Sequence, residues 1–185
     1  MSESPVQVGT TAGGGCVVRL VGRATMHHSP AAEELVVQTL DRDPAATVAL
    51  DLSDCSYLDS TFLGSLFGLY QRYRLAAPPP AAMSPGGSTP DGDRPAPRLT
   101  IHAPPATMKA LFGPLKLDKV LKAEPAPAPT PAGEWVSLDA APHDPRELTR
   151  HVMDCHRRLA AADTPASAMF TKIADAMQAD LDRAG

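Results

Sequence analysis

The run Asp59-Ser60-Thr61 places a carboxylate and two hydroxyls directly before an apolar helical pattern. These residue types cap helix N-termini, where a side-chain oxygen accepts from a free backbone N–H. Capping alone accounts for them, but the position also tolerates added negative charge, because unpaired N–H groups and the helix dipole face it. Ser60 has no evident base partner in the sequence and no G-x-S-x-G elbow surrounds it, so nucleophilic catalysis is not expected. His27 and His28 are adjacent and could sense pH or bind metal, but without spaced carboxylates they read as a solvated turn. His151, Asp154, Cys155 and His156 crowd one helical segment, and His151 and Cys155 share a face at i, i+4. Zinc takes three or four ligands and Cys155 belongs to an apolar stripe, so no metal site is expected. Gly13-Gly14-Gly15 precedes a strand instead of opening a helix, which is the wrong order for a phosphate loop. No enzymatic activity, cofactor or metal follows from these constellations.

The elements that must hold these residues alternate in type. Residues 1–15 are small, polar and Gly-rich, and are expected to be disordered. Cys16 to Val21 reads as a strand ended by Gly22. Ser29-Pro30 reads as N-cap and N1 of a helix reaching residue 42, where Asp43-Pro44 breaks it. Thr47 to Leu52 is a continuously apolar strand, the pattern of a strand buried on both faces. A turn from Ser53 to Leu58 leads to a helix over 61–75, with Leu63, Leu66, Phe67 and Tyr70 at i, i+3, i+4, i+7. Seven prolines and three glycines in residues 76–97 exclude helix and sheet and predict a long flexible loop. Arg98 to Ala103 is a further strand. Pro104-Pro105 opens a helix with Met108, Leu111 and Phe112 inward, and Leu115 to Leu121 ends the unit.

Residues 123–143 form a Pro/Ala-rich linker, expected to be extended and semi-rigid. Residues 144–184 then read as a helical hairpin. Asp144-Pro145-Arg146-Glu147 starts its first helix, striped by Leu148, Val152, Cys155, Leu159 and Ala162. Thr164-Pro165 starts the second, striped by Met169, Ile173, Met177 and Leu181. Those stripes must pack on the domain, on a second copy as a homodimer, or on a partner.

Length and charge narrow the classes. The 185 residues suffice for one ordinary domain with appendages, and the 20 prolines are clustered, so part of the chain lies outside packed structure. Seventeen basic against twenty-one acidic residues give −4, which argues against nucleic-acid binding. No 18-residue apolar run is present and the N-terminus lacks a basic flank with an apolar run, so neither a membrane span nor a secretory signal is expected. Cys16, Cys55 and Cys155 are far apart and odd in number, as free thiols of a cytoplasmic protein are.

The segment Val48-Ala49-Leu50-Asp51-Leu52-Ser53, a short turn, then Asp59-Ser60-Thr61-Phe62-Leu63-Gly64 resembles the signature of STAS domains, the family named for sulfate transporters and anti-sigma factor antagonists. Leu20-Val21-Gly22 with His27-His28, and Leu99-Thr100-Ile101 with its following helix, are similar to other parts of that family, so the resemblance covers residues 16–122. It implies an α/β fold: a small mixed β-sheet of four or five strands with packed helices, to which the C-terminal helical hairpin is added.

The resemblance also implies a non-enzymatic bacterial signalling and transcription regulator of the anti-sigma factor antagonist type. Such a protein binds an anti-sigma factor serine kinase, is released when that kinase phosphorylates the serine of the Asp-Ser pair, and is reset by a phosphatase. Carried over, Ser60 is the phosphoacceptor, and His27, His28, Asp59, Ser60, Thr61 and Phe62 form the partner-binding surface. The family pattern has glycine where this chain has Phe62, which makes Phe62 either an aromatic anchor for a partner or a block to the usual one. Two other readings use the same residues: a constitutive scaffold or transporter-associated subunit in which Ser60 only caps, and a small-molecule or nucleotide-binding module.

Overall fold

The computed structural model describes residues 4–74, 97–140 and 144–183. The proline-rich loop predicted at 76–97 lies, but for Pro97, outside the described residues.

Val6–Thr10 (β1) and Cys16–Leu20 (β2) form an antiparallel hairpin, in register from Val6 opposite Leu20 to Thr10 opposite Cys16. This corrects the expectation of a disordered N-terminus through residue 15. The glycines at 13–15 belong to the hairpin loop, with Gly14 at φ 81 and the Thr11 N–H donating to Gly15 O at 2.9 Å. Val6 is fully buried against the core, so the segment gains what orders it.

Val48–Asp51 (β4) lies parallel to β2, and Leu99–His102 (β6) lies parallel to β4. The main sheet runs β6-β4-β2-β1-β7, where β7 is Val136–Ser137. A second, two-stranded sheet pairs Gly22–Ala24 (β3) with Cys55–Leu58 (β5) in parallel. The expected turn at 53–58 is therefore largely strand. Gly22, at φ 66, turns the chain from β2 into β3 in a conformation that L side chains rarely adopt.

The helices are Ser29–Arg42 (α1), Ser60–Tyr73 (α2), Pro105–Phe112 (α3), Pro145–Ala160 (α4) and Ser167–Arg183 (α5). Two short 3-10 turns, Gly113–Leu115 and Leu117–Lys119, follow α3. Ser29 is the first helical residue of α1, not its cap; His28 holds the cap position without a side-chain cap bond. Helix α5 starts at Ser167, two residues beyond Thr164-Pro165, because Ser167 Oγ accepts from the Thr164 N–H at 2.9 Å.

The Pro/Ala-rich linker is not a free spacer. Glu124 bridges to His102 beside β6, Ala132 N–H donates to Thr10 O at 2.8 Å, and β7 pairs with β1. Prolines cannot donate, but the residues between them reach the open sheet edge, and extended backbone matches its geometry. Arg19 stacks on Trp135 at 5.5 Å to the ring centroid, fixing the same segment from the side.

The core joins Val18, Leu20, Leu50, Leu99 and Ile101 of the sheet to Val36 and Leu40 of α1 and Leu63, Leu66, Leu69 and Tyr70 of α2. Helix α2 is buried around nearly its whole circumference from Thr61 to Tyr70. One side faces the body. The other is covered by α4, which α5 in turn packs against. The hairpin thus docks within its own chain. Met169, assigned to the inward stripe of α5, is 49% exposed; Phe170 and Ala174 are buried instead, one residue around the helix.

Candidate functional site

Asp59 ties two elements together. Its Oδ1 accepts from the Phe62 N–H at 2.9 Å, which caps α2, and its Oδ2 accepts from the Met26 N–H at 2.6 Å. The turn before α1 is thereby fastened beside the N-terminus of α2, bringing His27 and His28 near Ser60. His27 is exposed and His28 half-buried. Burial, and then the neighbouring His27 charge, push the His28 imidazole below its ordinary value. Its Nδ1 lies 3.3 Å from the Thr25 N–H, which holds the turn closed.

Ser60 is half-buried in the first turn of α2, and its hydroxyl shares a 2.9 Å hydrogen bond with His156 Nε2 from α4. His156 is buried, stacks on Phe170 of α5 with ring centroids 5.4 Å apart, and has its pKa lowered by desolvation. Its Nδ1 has no hydrogen-bond partner among the described residues. A neutral imidazole therefore covers the Ser60 hydroxyl. Sequence reasoning placed His156 on a crowded helix but could not pair it with a residue 96 positions earlier.

Thr61 and Phe62 correct the expected partner surface. They are 3% and 2% exposed, so neither is presented to a partner. With Asp59 as the cap, helical geometry turns position 62 toward the core beside Leu63 and Leu66. The surface near the Asp-Ser turn is supplied instead by Arg23, which stacks 3.9 Å over the ring of Tyr57 across β3 and β5, with Tyr57 38% exposed. The apolar Cys55, Tyr57 and Leu58 were the available signal, hidden by reading 53–58 as a turn; Ser56 and Tyr57 are exposed between buried Cys55 and Leu58.

Helix α4 approaches α2 at two glycines. A Cβ on Gly64 would lie 2.7 Å from Cys155 Cβ, and one on Gly68 would lie 2.7 Å from Arg158 Cδ. Around this crossing Ser29, Ser65, His151, Cys155 and Glu33 share hydrogen bonds, and Arg158 pairs with Glu33 at 2.7 Å. Burial pushes the Cys155 thiol up to about 12, so it stays protonated at neutral pH.

A parallel pair feeding a helix that starts with Asp-Ser, docked on a mixed sheet, makes a small α/β module. Residues 6–77, less than half of the chain, match the family model of the STAS domain. The chain is also similar to a crystal structure of an anti-sigma factor antagonist from Mycobacterium paratuberculosis, at 22% identity and a TM-score of 0.41, covering 65% of this chain and 85% of that one. Among the described residues no helix is long and apolar enough to cross a membrane.

Proposed function

We propose that this protein is a cytoplasmic, non-enzymatic anti-sigma factor antagonist that binds a kinase-type anti-sigma factor and is switched by phosphorylation at Ser60. The observation that carries the reading is the double use of Asp59, which caps α2 and fastens the turn of His27 and His28 against the Ser60 position. A phosphoryl group there adds about −1.5 to −2 charges at pH 7 beside the Asp59 carboxylate, enough to repel an acidic partner surface without unfolding the domain. Helix N-terminal amides accommodate that charge. The phosphate cannot share space with His156 at 2.9 Å, so α4 must swing clear for a kinase to reach the hydroxyl. The partner surface comprises His27, His28, Asp59 and Ser60. A phosphatase resets the switch, and neither nucleic acid nor membrane takes part.

The engaged Ser60 hydroxyl also favours a second reading, a constitutive scaffold or transporter-associated subunit in which Ser60 only helps to dock α4. Quantitative pull-downs from native host lysate, with wild type, Ser60→Ala and Ser60→Asp as baits, separate the two. The switch reading expects a protein with an ATPase-type kinase domain held by wild type and Ser60→Ala and lost with Ser60→Asp. Equal capture of the same partner by all three refutes the switch and leaves the scaffold.

A further inference from the structure

More than apolar packing holds the hairpin to the body. Glu33 of α1 and His151 and Cys155 of α4 bring a carboxylate oxygen, an imidazole nitrogen and a sulfur within 4.8 Å of one another. Ser65 of α2 adds a hydroxyl, 2.7 Å from Glu33 Oε2, 3.4 Å from His151 Nε2 and 3.3 Å from Cys155 Sγ, while His151 Nε2 lies 3.6 Å from Cys155 Sγ. A tetrahedral zinc ion with bonds of about 2.0–2.3 Å separates its ligand atoms by about 3.3–3.6 Å. Three of these four distances fall in that window, Glu33 lies within 4.8 Å of both His151 and Cys155, and Ser29 Oγ, 2.7 Å from His151 Nε2, must give up that nitrogen to the metal. The fourth is short because Glu33 accepts the Ser65 hydroxyl proton directly.

We propose that Glu33, His151 and Cys155 form a binding site for a zinc-class divalent transition metal, with the Ser65 hydroxyl or a water as fourth ligand, clamping α4 to the body. One sulfur, one nitrogen and one oxygen make a borderline-soft set, suited to zinc or cobalt and not to magnesium or calcium. His151 and Cys155 stand one helical turn apart, so a rigid helix sets their spacing. Arg158 holds Glu33 Oε1 as an ion pair and leaves Oε2 turned to the cluster, the outer-shell support that orients a metal-binding carboxylate. Glu33 and His151 are half-buried and give an ion its approach, while Cys155 lies at the buried end. When the sulfur binds metal, its thiol proton passes to solvent. The site stands whether or not the phospho-switch does; if both hold, metal keeps Ser60 covered.

The test is a Co(II) titration of the untagged, reduced full chain, followed by optical absorption. Expected are intense tetrahedral ligand-field bands with a thiolate-to-cobalt charge-transfer band, saturating at one ion per chain and displaced by Zn(II). The bands persist in Cys16→Ala/Cys55→Ala, the charge-transfer band vanishes in Cys155→Ser, and affinity falls at least about tenfold in Glu33→Gln and His151→Gln. Should Cys155→Ser not fold, zinc-edge X-ray absorption of the Cys16→Ala/Cys55→Ala protein decides, with one sulfur among lighter ligands expected. Absence of the charge-transfer band in wild type, its survival in Cys155→Ser, or a zinc shell without sulfur overturns the site and leaves the cluster a hydrogen-bond network.

Discussion

Replacing Gly64 by alanine separates hairpin docking from the stability of the body. The added methyl would meet the Cys155 backbone carbonyl oxygen first and stand 2.7 Å from Cys155 Cβ, where carbon atoms normally pack at about 3.5–4.0 Å, so roughly 1 Å of overlap must be relieved against backbone that cannot simply rotate away. Overpacking of this kind costs about 1–3 kcal/mol. Alanine also improves an interior helical position by about 1 kcal/mol. That gain is present whether α4 is docked or not, so it cancels in the docking equilibrium but not in global unfolding. Docking should weaken about 5- to 150-fold, while β2 and β4, which exchange through global unfolding, lose at most about 2 kcal/mol of protection because the helical gain offsets part of the overpacking. Segment-resolved amide exchange, with alkylation of Cys155 as a second probe, reads both effects in one sample. Helix α4 should exchange faster by that factor and the fully buried Cys155 should become reactive. If α4 and Cys155 stay protected while the whole domain melts earlier, the hairpin is an inseparable part of the core, and Ser60 cannot be uncovered by moving it alone.

Two further outcomes follow from the site and its frame. Asp59→Ala removes a helix cap and a carboxylate acceptor of the Met26 N–H, and should cost about 2–4 kcal/mol in urea unfolding, with Asp59→Asn recovering part of it; a loss below about 0.5 kcal/mol would mean that Asp59 does not join the two elements. Tyr73 donates to Asp41 at 2.7 Å, and burial first, then that hydrogen bond, raises its pKa to about 12. Because the folded value lies above the ordinary value of 10, its contribution is intact below pH 10 and is lost as pH rises toward about 12; wild type and Tyr73→Phe should therefore converge in stability there, and a constant difference between them would contradict the assignment.

The local elements were written in short-range pattern. Val48 to Leu52 announces a buried parallel strand, and Asp59 fixes the start of α2, because capping and alternation need only a few neighbouring residues. The resemblance to the STAS signature concentrates in that same stretch, and it lies within residues 6–77, which match that family's model. The expectation of disorder up to residue 15 fails for the hairpin from Val6 because Val6 and Val8 carry too little pattern to announce a strand until Leu20 and Val18 are placed opposite them. The linker's composition pointed to extended backbone, but its edge pairing depends on β1, more than a hundred positions away.

What only the tertiary structure decided is the second face of α2. Leu63, Leu66, Phe67 and Tyr70 mark one apolar stripe, but Gly64, Ser65 and Gly68 on the other side look like weak helix formers until α4 is laid across them. Small residues carry little hydrophobic signal because their role is to let another backbone approach. For the same reason the sequence named Ser60 and His156 but could not pair them, and named His151 with Cys155 but not Glu33. Residue types and helical spacing are local properties, whereas the meeting of side chains from α1, α2 and α4 is a product of packing, which no single segment encodes.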